Sequence, residues 1–271
     1  MSISVTRVQS GYPGFHLDDV SVEIAAGSFT ALIGPNGCGK STLLKTISAE
    51  LAPGGGQVKI GGEDLATLRP RAISKRIAVL PQNPDVPLGI TVETLVGYGR
   101  APHQNLMGIK SKADIKAVEH ALHTVDLLSM RDRPLNALSG GQRQRAFIAM
   151  CLAQDTPYIL LDEPTSFLDI RYQYDVLDLL ARLNAQGKTL VAVLHDIGQA
   201  ARYASDIVVM KSRAIYASGP PDHVITADML RAVYAVEAEV FPDPVTATAL
   251  LSRVPAPCGN TGYSTLAEAP Q

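Results

Sequence analysis

The chain has 271 residues, 46% of them hydrophobic, enough to bury a substantial core as one large domain or two small ones. Its 24 basic and 26 acidic residues leave a net charge of −2 with no long basic run, which argues against nucleic acid as a partner. No apolar run approaches the roughly 18 residues needed to cross a bilayer, and the opening MSISVTRVQSGYPG lacks the basic-then-apolar pattern of a secretory signal, so a cytosolic protein is expected.

In chain order, Ile3, Val5 and Val8, then Val20, Val22 and Ile24, place β-branched residues in near alternation. This predicts half-exposed strands and a small mixed sheet before the apolar FTALI strand. STLLKTISAEL has helical spacing, PGGG closes it with a turn, and QVKIGGEDL returns to strand. From about 90 to 154 helical signals dominate, as in KADIKAVEHALHTVDLL, and predict a helical insertion. YILLD and TLVAVLH then read as buried parallel strands, alternating with the helical YQYDVLDLLARLNAQG and DIGQAARYAS. Past about Ala217 the chain becomes less regular and richer in proline, and its last dozen residues have the character of a disordered tail. Cys38, Cys151 and Cys258 are odd in number and lack metal-ligand spacing, so free thiols are expected.

Between FTALI and its helix stands GPNGCGKST, residues Gly34, Pro35, Asn36, Gly37, Cys38, Gly39, Lys40, Ser41 and Thr42. Gly34, Gly39, Lys40 and Ser41 fit the phosphate-binding loop pattern, in which backbone N–H groups and a helix N-terminus surround phosphates and side chains must be absent where the backbone approaches. Chance would produce these four positions in a chain of this length about one time in a hundred. Lys40 would neutralise β- and γ-phosphate charge and the Ser41 hydroxyl would be a Mg²⁺ ligand. The helix N-terminus and Lys40 would also lower the thiol pKa of Cys38.

A Mg²⁺-nucleotide site needs a carboxylate at the end of a neighbouring strand, and YILLDEP supplies two. Asp162 fits the metal, and Glu163 fits a general base that orients and deprotonates water. His195 ends TLVAVLH at a strand's carboxyl end, where ligands collect in open α/β sheets, and could contact the γ-phosphate. In isolation a histidine is more often structural; its position distinguishes this one from the other five.

LSGGQRQRAFIAMCLA resembles the signature of ABC-transporter ATPases. Leu138, Ser139, Gly140, Gly141 and Gln142 match that family's LSGGQ motif, which implies a second phosphate-binding surface at a helix N-terminus. The resemblance implies a head-to-tail homodimer in which this surface meets the other subunit's nucleotide. Gln82 matches the glutamine that senses Mg²⁺ and links the core to the helical insertion, and His195 the switch histidine. Ser166, Phe167, Leu168 and Asp169 match the dimer-contacting segment, and Tyr12 the aromatic that stacks on adenine. The family's fold is α/β: a P-loop NTPase core with a mixed or parallel sheet, an N-terminal antiparallel β subdomain and an inserted helical subdomain. On it the chain divides into a nucleotide-binding core, about 1–89 and 155–216, a helical subdomain, about 90–154, and a C-terminal extension, about 217–271. ATP and Mg²⁺ are the implied cofactors.

VGYGRAPHQ, LAQDTPYILLDEPTSFLDIRYQ, HDIGQAARYAS and FPDPVTATAL are similar to segments of the ATPases that energise import of ferric siderophores and related metal chelates. Ile197-Gly198 stands where that group has Leu-Asn, and KSRAIYASG lacks its glycine turn. The implied function is the ATP-hydrolysing subunit of such an importer, on the cytoplasmic side of the membrane, with membrane permeases and, indirectly, a substrate-binding protein as partners. Haem, cobalamin and other metal chelates are alternative cargoes. A soluble ABC ATPase acting on DNA or ribosomes is the alternative of another class, weakened by the lack of long coiled coils, zinc modules or a duplicated domain. A small-molecule kinase or GTPase has no role for LSGGQ, and no Asn-Lys-x-Asp motif appears.

Overall fold

Strands β1 (Ile3–Tyr12) and β2 (Phe15–Ile24) form an antiparallel pair whose alternating residues bury Ile3, Val5, Val8, Leu17, Val20 and Ile24 on one face. They belong to a computed structural model that describes residues 2–82, 84, 87, 89–104, 110–243 and 248–253. The expected disordered tail and Cys258 lie outside the described residues. After β3 (Phe29–Ile33) and the glycine loop comes helix α1 (Lys40–Ile47). The helix stops short of the predicted Leu51 because Ala49 takes a left-handed φ of 62°. β4 (Gly55–Ile60) and β5 (Glu63–Asp64) then extend the first sheet to the order β2-β1-β4-β5. Every pairing in it is antiparallel, so the mixed sheet expected at this end is not there.

The mixed sheet is the second one. After α2 (Pro70–Ser74) and β6 (Ile77–Leu80), the chain forms α3 (Val92–Tyr98), α4 (Lys112–Thr124) and α5 (Gly140–Ala153), which pack together. Ser111 and Ser139 start α4 and α5 with reciprocal capping boxes to Asp114 and Gln142. β7 (Tyr158–Leu161), α6 (Ile170–Ala185), β8 (Thr189–Val193), α7 (Ile197–Tyr203), β9 (Asp206–Lys211) and β10 (Ala214–Gly219) follow. The sheet order is β10-β9-β3-β8-β7-β6, parallel throughout except where β10 returns beside β9.

The continuous apolar runs of this sheet feed two cores at once. Ala31, Ile159, Leu161, Ile207 and Val209 face the large core shared with α5, α6 and α7, while Leu32, Tyr158, Leu160, Val208 and Met210 face a second core. That second core contains Leu43, Leu44 and Ile47 of α1 and the buried face of the antiparallel sheet. Covered on both faces, β3, β7 and β8 are buried at every residue, and the hydroxyls of their two threonines are hydrogen-bonded, Thr30 with Ser28 Oγ and Thr189 by accepting from the Gly27 N–H.

The region past Ala217 is more regular than its composition suggests. It forms α8 (Pro221–Val224), α9 (Ala227–Tyr234) and a hairpin of β11 (Ala238–Pro242) with β12 (Ala249–Arg253). Met229, Leu230 and Val233 of α9 enter the large core, and Tyr234 packs against it.

Candidate functional site

The carboxyl ends of four neighbouring strands carry the polar groups: the glycine loop after β3, Gln82 after β6, Asp162 and Glu163 after β7, and His195 after β8. This is where an open parallel sheet leaves a crevice, because its connections turn to opposite faces. The loop runs so close to its neighbours that a Cβ on Gly34 would lie 2.2 Å from the Met210 carbonyl oxygen, and one on Gly39 2.4 Å from a Leu17 methyl. Both have positive φ, 148° and 109°. The buried Lys40 folds its ammonium over the loop, donating to the carbonyls of Gly34 at 2.8 Å and Pro35 at 3.1 Å. Cys38 packs inward and is 3% exposed. Burial pushes its thiol above the ordinary value and Lys40 only partly offsets this, so the activated thiol expected from the helix N-terminus is not present.

Ser41 donates its hydroxyl to Asp162 Oδ1 at 2.9 Å. Asp162 is 6% exposed; burial raises its carboxyl above the usual range, against the lowering effect of Ser41. The next residue behaves oppositely. Burial raises Glu163 too, but hydrogen bonds from Ser166, His195 and Gln82 outweigh it and hold the carboxyl below its ordinary value. The distances are 2.8 Å from Ser166 Oγ to Glu163 Oε2 and 2.7 Å between His195 Nε2 and Glu163 Oε1. Glu163 takes a left-handed φ of 54°, a strained backbone that turns the two adjacent carboxylates apart.

A cleft of ≈ 520 Å³ opens above these groups, of a size that accepts a small-molecule ligand. Its polar end is lined by Lys40, Ser41, Gln82, Glu163 and His195, its floor by Asn36, Gly37, Gly39 and Thr42, and its apolar end by Tyr12 and Phe15. Asp162 borders an adjoining recess together with Ser41, Gln82 and Lys45. Ser139, Gly140, Gly141, Gln142 and Asp169 are not in the cleft. Ser139 and Gln142 close the cap of α5 with mutual hydrogen bonds of 3.1 and 3.3 Å, and Asp169 precedes α6. Gly141 packs so closely on Tyr172 that a Cβ there would lie 2.7 Å from the ring.

Sequence reasoning missed Phe15 and Lys45. Phe15 follows Tyr12 by three residues but reads as one more apolar member of β2. Lys45 is one helical turn beyond Ser41, and that i, i+4 spacing could have flagged it.

The family model described as "ABC transporter" matches residues 17–166, more than half of the chain. The chain belongs to the ABC transporter family. It is 43% identical to the ferric enterobactin transport ATP-binding protein FepC of Escherichia coli (strain K12), over 98% of this chain and 99% of that protein. It is 42% identical to the iron(3+)-hydroxamate import ATP-binding protein FhuC of Bacillus subtilis (strain 168), over 90% and 92%. Among solved structures, the dimeric MJ0796, a bacterial ABC transporter cassette, superposes with a TM-score of 0.71 at 30% identity, covering 80% of this chain and 98% of that one. The cleft thus lies on the glycine loop of an ABC ATPase subunit. Among the described residues no helix of this ABC subunit is long and apolar enough to cross a membrane.

Proposed function

We propose that the protein is the ATP-hydrolysing subunit of an importer of ferric siderophores, working as a homodimer on the cytoplasmic face of separate membrane permeases. The observation that carries the catalytic part is the placement of Glu163, its carboxyl held below the ordinary value and bonded to His195 at 2.7 Å, next to Asp162 of the Ser41–Asp162 pair and in the cleft that Lys40 also lines. The cargo rests on the similarity to FepC and FhuC, which spans nearly the whole chain.

In this reading Gly37, Gly39 and Thr42 contact the phosphates through backbone N–H groups and Lys40 exchanges its loop carbonyls for phosphate oxygens. The Ser41 hydroxyl, the Asp162 carboxylate and the Gln82 amide carbonyl can each offer an oxygen to a hard cation, and they fit Mg²⁺, which prefers few protein ligands with substrate phosphates completing the shell. When bound, that ion supplies positive charge against the phosphates. Glu163 accepts a proton from the attacking water, and His195 holds the carboxylate's orientation and faces the transferring group. Tyr12 stacks on the base. Ser139 and Gly141 serve the partner subunit's nucleotide, which is why they lie outside the cleft of their own chain. ATP then favours the closed dimer because only that state joins both surfaces, and closure is what shifts the permeases.

The test is uptake of radiolabelled iron, given as a panel of ferric siderophores and as haem, in cells lacking the gene and in cells restored with native or Glu163→Gln protein. Loss of one ferric siderophore, rescued by native protein alone, is expected. Loss confined to haem, or normal uptake of every iron source, overturns the cargo assignment.

A further inference from the structure

The hairpin joining β9 to β10 is built against the usual turn chemistry. Lys211 pairs with Ala214, leaving Ser212 and Arg213 as its two central residues, with φ of 47° and 72°. Such a turn favours Asn-Gly, and glycine would take the second position without strain. A side chain kept there needs another reason, and the contacts of Arg213 supply one.

Its guanidinium lies over the ring of Phe15, 5.0 Å from the centroid. The same ring reaches the phosphate loop: a Cβ on Gly39 would lie 3.5 Å from Phe15 Cζ. Phe15 therefore carries a cation over its ring and brings its Cζ edge near Gly39, while it lines the cleft. The backbone completes the clasp, since the Arg213 N–H donates to the Cys38 carbonyl at 3.2 Å and the Arg213 carbonyl accepts from the Asp18 N–H at 3.3 Å. One turn residue thus joins β2, the loop and the aromatic end of the cleft.

The two ends of that cleft suit different parts of one ligand. The polar end matches phosphates, whereas Tyr12 and Phe15 offer faces and edges to a planar ring. We propose that Arg213 is a positioning residue for the base of the bound nucleotide: stacked on Phe15, it locks that ring as the second aromatic surface beside Tyr12. The proposal rests on reading the cleft as a nucleotide site and deepens it by naming what orients the base end. Charge above Phe15 also polarises the ring, strengthening its contact with an electron-rich purine.

Arg213→Gly is a clean test, because it keeps both backbone hydrogen bonds and relieves the positive φ while removing the guanidinium. Displacement of a fluorescent ATP analogue by ATP and by inorganic tripolyphosphate, which has no base, separates the two ends. Arg213→Gly is expected to bind ATP about fivefold more weakly, to bind tripolyphosphate as the native protein does, and to unfold at the same temperature or higher. Arg213→Lys, which keeps the charge but not the planar stack, should recover part of the ATP affinity. A purely structural role predicts the reverse, with the unfolding temperature changed and the ATP-to-tripolyphosphate ratio constant. Equal loss for both ligands, or no loss for either, overturns the proposal. Lys40→Ala tests the underlying reading: binding of both ligands should vanish, and retention of both would sink the nucleotide site itself rather than the role of Arg213.

Discussion

Ser41, at the first turn of α1, and Asp162, at the end of β7, are 121 positions apart in the chain and joined by a 2.9 Å hydrogen bond. The bond closes the seam between the phosphate loop and its acidic strand, but burial outweighs its lowering effect and disfavours the ionised form of the Asp162 carboxyl. A group whose folded pKa is raised stabilises the fold most at low pH, and that contribution is lost as pH rises through the folded value.

Asp162→Asn should therefore separate stability from activity. It keeps the shape and a partner for Ser41 but removes the buried charge, so thermal unfolding at pH 7 should be unchanged or higher. ATP turnover should fall at least about a hundredfold. Titrating Mg²⁺ against turnover is the check, and a variant with native Mg²⁺ dependence would remove Asp162 from the metal site.

Glu163→Gln is expected to retain ATP, lose about a hundredfold or more in turnover, and accumulate as a nucleotide-bound dimer on size exclusion. Because its hydrogen bonds hold Glu163 below its ordinary value of 4.5, the acid limb of kcat/KM due to this group should lie below pH 4.5 in the native enzyme. Native-like hydrolysis by the variant would show that another group is the base.

Arg100 and Asp114 form a buried ion pair at 2.8 Å, and Arg100 also donates to the Ala153 carbonyl at 2.6 Å, tying α4 to the end of α5. Hydrogen bonds from Arg100 and then Ser111 hold Asp114 down to about 2, against an ordinary 3.8. A depressed carboxyl contributes stability above its unfolded value and loses it as pH falls through the folded one, so the contribution should fade between pH 3.8 and about 2. Asp114→Ala strands a buried guanidinium and should cost about 3 kcal/mol, read from urea unfolding at pH 7. Replacing both residues with apolar ones should recover most of it.

Mixed dimers carrying Lys40→Ala on one subunit and Ser139→Arg on the other test the shared site. Head-to-tail pairing puts both lesions in one nucleotide site and leaves the other intact, so one site should occlude ATP in a stoichiometric trapping assay. Two occluding sites would refute the arrangement.

Cys38 and Cys151 should resist alkylation in the native protein. Burial raises both thiols, Cys151 to about 12, and leaves neither accessible. Mass-spectrometric labelling at pH 7.5 should modify either one rapidly only after denaturation.

The sequence by itself determined whatever depends on neighbours in the chain. The spacing of Gly34, Gly39, Lys40 and Ser41, the apolar runs before Asp162 and His195, and the capping pattern at Ser139 are local, and each appears as a loop, strand or helix end where the spacing places it. The tertiary structure alone decided what depends on strand order. Because β8 lies between β3 and β7 although it follows both in the chain, His195 comes within 2.7 Å of Glu163, and no local pattern encodes that distance. The same holds for Phe15 facing the cleft, Arg213 stacking on Phe15, and Cys38 turning inward, where burial outweighs the charge of Lys40. Residue types carry the chemistry of a site, whereas distances and desolvation come from packing between segments far apart in the chain.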